Sequence, residues 1–325
     1  MSTTEIKTSH EILLRVEKLK TWFSVEGGKV RAVDDVSFTL RRGEILGVVG
    51  ESGCGKSTLG RTILRLEEKS GGSVIFDGTD PFTLDKEKLK AFRRSASMVF
   101  QDPSSSLNPR KRIDRLLRQP LRVHRVGTSG DWDRKIDRIL SESGIAPQYK
   151  NRYPHQFSGG QKQRIGIARS LMLDPEFIVM DEAVSALDVS IQAQILNLLL
   201  DLKEQRNLTY LFISHDLAVV EFVSDRILVM YLGRIVEEAE TSTITQKPLH
   251  PYTQTLMKAF PTTDLSKRGS SIVEVQGDVP SPINPPPGCH FAPRCPRAMD
   301  RCQSEYPPLV ELEPGHRVAC WLHTE

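Results

Sequence analysis

"GVVGESGCGKST", Gly47 to Thr58, decides how the rest of this chain is read. Gly50, Gly55, Lys56 and Ser57 fill the fixed places of G-x-x-x-x-G-K-[ST], after the apolar run "EILGVV" and before the helix-patterned "STLGRTILRL". Glycines let the backbone fold closely around a phosphate, so the N–H groups from Gly50 through Ser52, Gly53, Cys54 and Gly55 to Thr58 are expected to form an anion nest. The helix that follows adds its positive N-terminal end. Lys56 is expected to reach the outer phosphates of a nucleoside triphosphate, and the Ser57 hydroxyl to ligate Mg²⁺. Cys54 reads as a small filler of the loop rather than a reactive thiol.

A phosphate loop calls for a second element, an apolar strand ending in an acid that serves the metal. "EFIVMDEA" supplies it, with Asp181 at the strand end and Glu182 one residue further, placed to polarise an attacking water as general base. Taken alone, Glu182 would be an ordinary solvated acid; its position beside Asp181 argues otherwise.

Composition bounds the alternatives. The 325 residues are 38% hydrophobic and 26% charged, with a net charge of +3, too little to argue for nucleic acid without a clustered basic face. Arg110-Lys111-Arg112 reads as a solvated helix start or a partner surface. "MSTTEIKTSH" has no apolar leader core, and the longest apolar run, Ile195 to Glu204, is short and amphipathic. The expectation is a cytosolic chain, where clustered cysteines more often bind metal or do redox work than form disulfides.

Three textures follow one another before the tail. β-rich runs extend to about Pro103, helical spacing covers about 104–170, and strands alternate with helices from Leu171 to Glu240. Beyond Thr241 the pattern gives way to "PSPINPPPG" and a cysteine-rich segment. The expected division is a nucleotide-binding domain over 1–240, with a helical part at about 104–170, and a C-terminal extension over 241–325.

"FSGGQKQRIGIARSL" stands between the two phosphate-site elements. Ser158, Gly159, Gly160 and Gln161 resemble the LSGGQ signature of ATP-binding cassette (ABC) proteins, with Phe157 in place of the leucine. The other parts follow in that family's order: Gln101 in "VFQDP" resembles the Q-loop, "SALD" ending at Asp188 the D-loop, and His215 in "FISHD" the switch histidine. Phe23 in "LKTWFSV" resembles the aromatic residue that stacks on adenine, with Trp22 as its rival. The resemblance implies an α/β P-loop fold with a RecA-like parallel-sheet core, an antiparallel β subdomain, a helical signature subdomain and a small irregular extension. It implies ATP and Mg²⁺ as cofactors, with Ser57, Gln101 and Asp181 at the metal and Lys56, Gln101, Glu182 and His215 in hydrolysis. It also implies a second ATPase subunit, because the signature faces nucleotide bound to another cassette; that partner is a distinct paralogue or a second copy. Ala183 stands where the family commonly has proline, which should leave the chemistry intact.

"KPLHPYTQTLMKAFP" and "GDVPSPINPPPGCHFAPRCP" are similar to the C-terminal extension of dipeptide and oligopeptide importer ATPases. The implied role is ATP-driven peptide uptake through two separate permease subunits, served by an extracytoplasmic binding protein, at the cytoplasmic face of the inner membrane. An importer for nickel or oligosaccharide, or a soluble ABC ATPase of repair or translation, are the other readings. In several members of this subfamily such a cysteine quartet holds a [4Fe–4S] cluster, which is carried over to Cys289, Cys295, Cys302 and Cys320. Read from the residues, zinc and uncoordinated thiols stay open. Structural zinc usually shows short C-x₂₋₄-C pairs, whereas the spacings here are five, six and seventeen residues. His290, His316 and His323 are nearby alternative ligands, and His250 in "PLHPYTQ" reads as part of an ordered turn packing Tyr252. The cysteine segment is expected to lie remote from the ATP chemistry.

Overall fold

The computed structural model describes residues 11–258 and 280–324. The leader reading of residues 1–10, the end of the "PLHPYTQTLMKAFP" run and the start of "GDVPSP" fall outside them. In chain order the strands and helices begin with β1 (Ile12–Val25), β2 (Gly28–Arg41), β3 (Ile45–Val49), α1 (Lys56–Ile63), β4 (Gly71–Phe76), α2 (Lys86–Ser95) and β5 (Ala96–Val99). Next come α3 (Pro103–Ser106), α4 (Ile113–His124), α5 (Ser129–Glu142), α6 (Gly159–Leu171), β6 (Phe177–Asp181), α7 (Val189–Arg206) and β7 (Thr209–Ile213). The chain continues through α8 (Leu217–Val223), β8 (Arg226–Tyr231), β9 (Arg234–Glu240), α9 (Thr241–Gln246), α10 (Pro251–Lys258), α11 (Arg301–Ser304), β10 (Val310–Glu313) and β11 (His316–Val318). No helix among the described residues is long and apolar enough to cross a membrane.

Two compact units interleave along the sequence. One consists of residues 40–44 and 76–213 with the described part of 1–13. Its strands run β7-β6-β5, all parallel, and every residue of β6 and β7 is buried, as strands covered on both faces require. Helices α4, α5 and α6 pack on one another in this unit, matching the helical texture expected at 104–170. Local sequence sets their ends: Thr128 with Asp131 and Ser158 with Gln161 form capping boxes at the starts of α5 and α6.

The other unit consists of residues 14–39, 45–75 and the described part of 214–325. It holds a three-stranded sheet, β2-β1-β4, and a run of strands in the order β10-β11-β9-β8-β3. β3 pairs parallel with β8, whereas β8–β9, β9–β11 and β11–β10 are antiparallel. The C-terminal extension therefore supplies regular structure: Arg317 and Val318 of β11 pair with Glu238 and Glu237 of β9. Glu237 is fully buried, and its carboxylate accepts from Leu249 N (2.7 Å), His250 N (2.9 Å) and His316 Nε2 (2.8 Å), which ties β9, the following turn and the extension together.

Candidate functional site

β3, buried at every residue, delivers the phosphate loop, and α1 begins at Lys56 immediately after it. Gly55 caps α1 in a left-handed conformation (φ +104°), and a Cβ there would overlap the carbonyl oxygen of Ala32 on β2. Only glycine meets both demands. Lys56 is 4% exposed, and its Nζ donates to the carbonyls of Gly50 (2.7 Å) and Glu51 (3.0 Å), so the amine closes the loop across its own start. Cys54 is buried, its N–H donates to Glu51 O (3.2 Å), and burial pushes its thiol up, in keeping with a filler. Ser52 and Gly53 are exposed, and Ser57 and Thr58 are half-buried at the head of α1.

Phe23 and Trp22 lie next to each other on β1 and therefore face opposite sides. Phe23 shares its side with Thr21, whose hydroxyl lies 3.0 Å from that of Thr62 on α1, and it is 38% exposed. Trp22 is already engaged: its Nε1 donates to Asp34 (3.2 Å), and Lys20, Lys29 and Arg31 sit over its ring. His215 is exposed in the turn after β7, and the neighbouring Ser214 N donates to Val48 O (3.1 Å) on β3.

In the other unit, Asp181 ends β6 almost fully buried. Glu182 follows in the left-handed region (φ +47°), an uncommon conformation for a residue with a side chain. It is held there by its N–H donating to Ile213 O (3.0 Å) and by Ser185 Oγ donating to its carbonyl (3.0 Å). Gln101 Nε2 donates to Glu182 Oε2 (2.7 Å), so the Q-loop residue and the acid after β6 are in direct contact. Ala183 is buried beside them.

Ser158 caps α6, its Oγ accepting from Gln161 N (3.3 Å) while Gln161 Oε1 accepts from Ser158 N (3.0 Å). Four atoms thus fix the signature end of the helix, whose free N–H groups suit an anion. Asp188 caps α7 by accepting from Ile191 N (3.0 Å); that backbone bond and the Ser190 hydroxyl hold its carboxyl below the usual carboxylate range. A Cβ on Gly160 would overlap Ile191 Cγ2, and one on Gly159 would touch Leu187 (3.7 Å). The signature and D-loop residues are therefore neighbours, and glycine at 160 is required by packing.

Cys289, Cys295, Cys302 and Cys320 line one cavity with about 300 Å³ of space including its open mouth, together with His250, Phe291 and Trp321. All four are free thiols, and Cys289 N donates to Cys302 O (2.8 Å). Burial and the neighbouring thiols push Cys289 up to about 11, so its thiolate form is disfavoured without a cation nearby. Among the described residues no group of three or more His, Cys, Asp or Glu is placed to hold a metal ion, so ligand geometry does not by itself support the expected cluster or zinc. The nearby histidines make other bonds: His290 Nδ1 lies 3.1 Å from Leu232 O, His316 is on Glu237, and His323 Nε2 lies 3.3 Å from Leu249 O. His250 Nδ1 accepts from Tyr252 N (3.0 Å), and burial lowers it to about 3, keeping it neutral as the turn reading expects.

The expectation that the cysteine segment is remote from the phosphate loop is corrected. Arg294, one residue before Cys295, is bonded to Glu51 (2.9 Å), and Tyr252 Oη accepts from Glu51 N (2.9 Å). Glu51 occupies an unspecified place in the loop motif, and 243 residues separate it from Arg294, so no local pattern announced the contact.

Comparison with known proteins agrees with this geometry. Residues 33–185 match the ABC transporter family, and residues 236–302 match the oligopeptide/dipeptide transporter C-terminal region. The chain is 48% identical over 327 residues to the oligopeptide transport ATP-binding protein AppF of Bacillus subtilis, covering 97% of this chain and 99% of that one. It is 50% identical over 317 residues to the probable peptide ABC transporter ATP-binding protein y4tS of Sinorhizobium fredii, covering 95% and 90%. Among solved structures it resembles the ATP-binding cassette MJ0796 in a dimeric post-hydrolysis state with ADP and Pi (TM-score 0.64, 27% identity, 70% and 98% covered). It also resembles cbiO1 from Clostridium perfringens, part of the cbiONQ ABC transporter complex (TM-score 0.65, 25% identity, 73% and 92% covered).

Proposed function

This chain belongs to the ABC transporter ATPases, and from that premise we propose that it is the ATP-hydrolysing subunit of an importer of dipeptides or oligopeptides. The observation that carries the cargo class is the peptide-transporter C-terminal region at residues 236–302, alongside relatives named for peptide transport. The cassette runs to about residue 240 and the extension from 241 onward. The chain works at the cytoplasmic side of a membrane with a second cassette, a paralogue or another copy, and with two permease subunits fed by an extracytoplasmic binding protein.

Each residue has a physical task. The N–H groups of Gly50 to Thr58 and the start of α1 bind the phosphates, Lys56 offsets the charge that develops on them, and Phe23 offers an exposed face to adenine. Its accessible face and its side shared with α1 favour it over Trp22. Ser57 and Asp181 are suited to hold Mg²⁺, which neutralises phosphate charge when bound. Glu182 takes the proton of the attacking water, and Gln101, on its carboxylate, positions that base and senses the γ-phosphate. His215 donates to the γ-phosphate, and the Ser158–Gln161 helix end with Asp188 serves the nucleotide of the partner cassette.

For the four cysteines that line one cavity, the lack of short C-x₂₋₄-C pairs favours a [4Fe–4S] cluster over zinc. A zinc ion draws every sulfur to about 2.3 Å from one centre. A cluster's cysteines bind separate irons and so tolerate irregular spacings such as the five, six and seventeen residues here. Its role would be to staple a Pro-rich lobe. Anaerobically purified protein should carry iron and acid-labile sulfide at about four each per chain. Stoichiometric zinc without iron rejects the cluster. The transport reading is tested by reconstituting the chain with its permease, second cassette and binding protein in vesicles. ATP-dependent uptake of labelled short peptides is expected; uptake of nickel or oligosaccharide instead, or of nothing, overturns it.

A further inference from the structure

Glu51 is bound at every polar group it has. Its N–H donates to Tyr252 Oη (2.9 Å), its carbonyl accepts from Lys56 Nζ (3.0 Å), and Arg294 Nη1 donates to both carboxylate oxygens (3.1 and 2.9 Å). Arg294 also donates to Tyr231 Oη (3.2 Å), and its side chain is only 7% exposed. Tyr231, Tyr252 and Phe291 pack ring to ring behind this pair, at centroid separations of 4.7, 5.3 and 5.4 Å. The arginine, itself part of the extension, is therefore held against the loop at Glu51 and against β8 at Tyr231.

A carboxylate next to Gly50 is an electrostatic liability for a loop that must accept polyphosphate, because like charges a few ångströms apart in a partly buried site repel strongly. We propose that Arg294 is a positioning residue of the phosphate loop: it neutralises Glu51 and pins it away from the bound polyphosphate, which makes the C-terminal extension part of the nucleotide site. This rests on the reading of Gly50 to Thr58 as the ATP phosphate loop. Because the Glu51 carbonyl also holds Lys56, the same clamp sets the start of the loop that the catalytic amine reaches.

The test compares R294M, R294K and the double variant E51Q/R294M in the full chain assembled with its transporter partners. ATP turnover is read as separate KM and kcat, and ATP affinity by equilibrium displacement of a fluorescent analogue. R294M should raise the KM and Kd for ATP about tenfold with little change in kcat, since one uncompensated charge now opposes the phosphates. R294K keeps the charge and should stay within about threefold of the parent. E51Q/R294M removes both charges and should recover most of the affinity, which a purely structural arginine would not allow. An unchanged KM in R294M, or a double variant as weak as R294M, overturns the proposal. Where R294M fails to fold, the double variant decides alone: parent-like affinity sustains the clamp and weak affinity rejects it. A K56A control separates the two readings. Turnover lost in K56A with a parent-like KM in R294M defeats only the clamp, whereas turnover kept in K56A defeats the loop assignment itself.

Discussion

The phosphate loop and the cysteine lobe lie in one compact unit and are held by opposite means. The loop takes its shape mostly from the backbone, with a glycine in the left-handed region at 55 and a helix start at 56, and the Lys56 side chain closes it on the carbonyls of Gly50 and Glu51. The lobe takes its shape from side chains, namely four thiols around a cavity, a cluster of Tyr231, Tyr252 and Phe291, and the buried Glu237 with its three donors. A backbone-built site concentrates its chemistry in one or two groups. A side-chain-built lobe spreads its stability over many contacts, and each one lost weakens it. Substitutions in the loop should therefore remove activity and spare the fold, while substitutions at the lobe's cysteine cavity should weaken the fold and spare turnover; Arg294 is the exception, because its side chain reaches back to Glu51.

The sharpest way to break that contrast is Lys56→Ala. Turnover should fall by about a thousandfold or more with the melting temperature nearly unchanged, since one amine facing developing phosphate charge is lost. Near-normal hydrolysis in the assembled transporter would remove the chemistry from the loop. Glu182→Gln should follow, with ATP still bound, a closed pair of cassettes trapped, and hydrolysis reduced about a hundredfold. Continued turnover in that variant places the general base elsewhere.

On the lobe side, Cys302→Ser should lower stability by about 2–3 kcal/mol while kcat per folded chain changes little, read by thermal unfolding and steady-state kinetics. A large fall in kcat with unchanged stability would reverse the contrast. The smallest effect should come from Phe23→Ala, raising the KM for ATP about fivefold through loss of one stacking face. If Trp22→Ala raises KM more while Phe23→Ala leaves it alone, adenine rests on the indole.

Much of the candidate site was legible because its determinants are local. Gly50, Gly55, Lys56 and Ser57 stand within eight residues of one another, and Ser158 with Gln161 and Asp188 with Ile191 are bonds spanning three residues. The helices expected over 104–170 followed from spacing for the same reason. The tail was read less well. Its prolines and missing periodicity hid strands β10 and β11, which exist because β9 offers an edge to pair with, something no window of the tail itself records.

By itself, then, the amino-acid order determined the phosphate loop, the acids after β6, the signature helix start and the branch of the family, all carried by neighbours in sequence. The tertiary structure alone decided which aromatic on β1 stays accessible, that Gln101 grips Glu182 across 81 residues, and that Arg294 reaches Glu51 across 243. Those contacts depend on which strands and turns the fold brings side by side. A motif fixes the conformation of its own backbone, but not the partners that topology delivers to it.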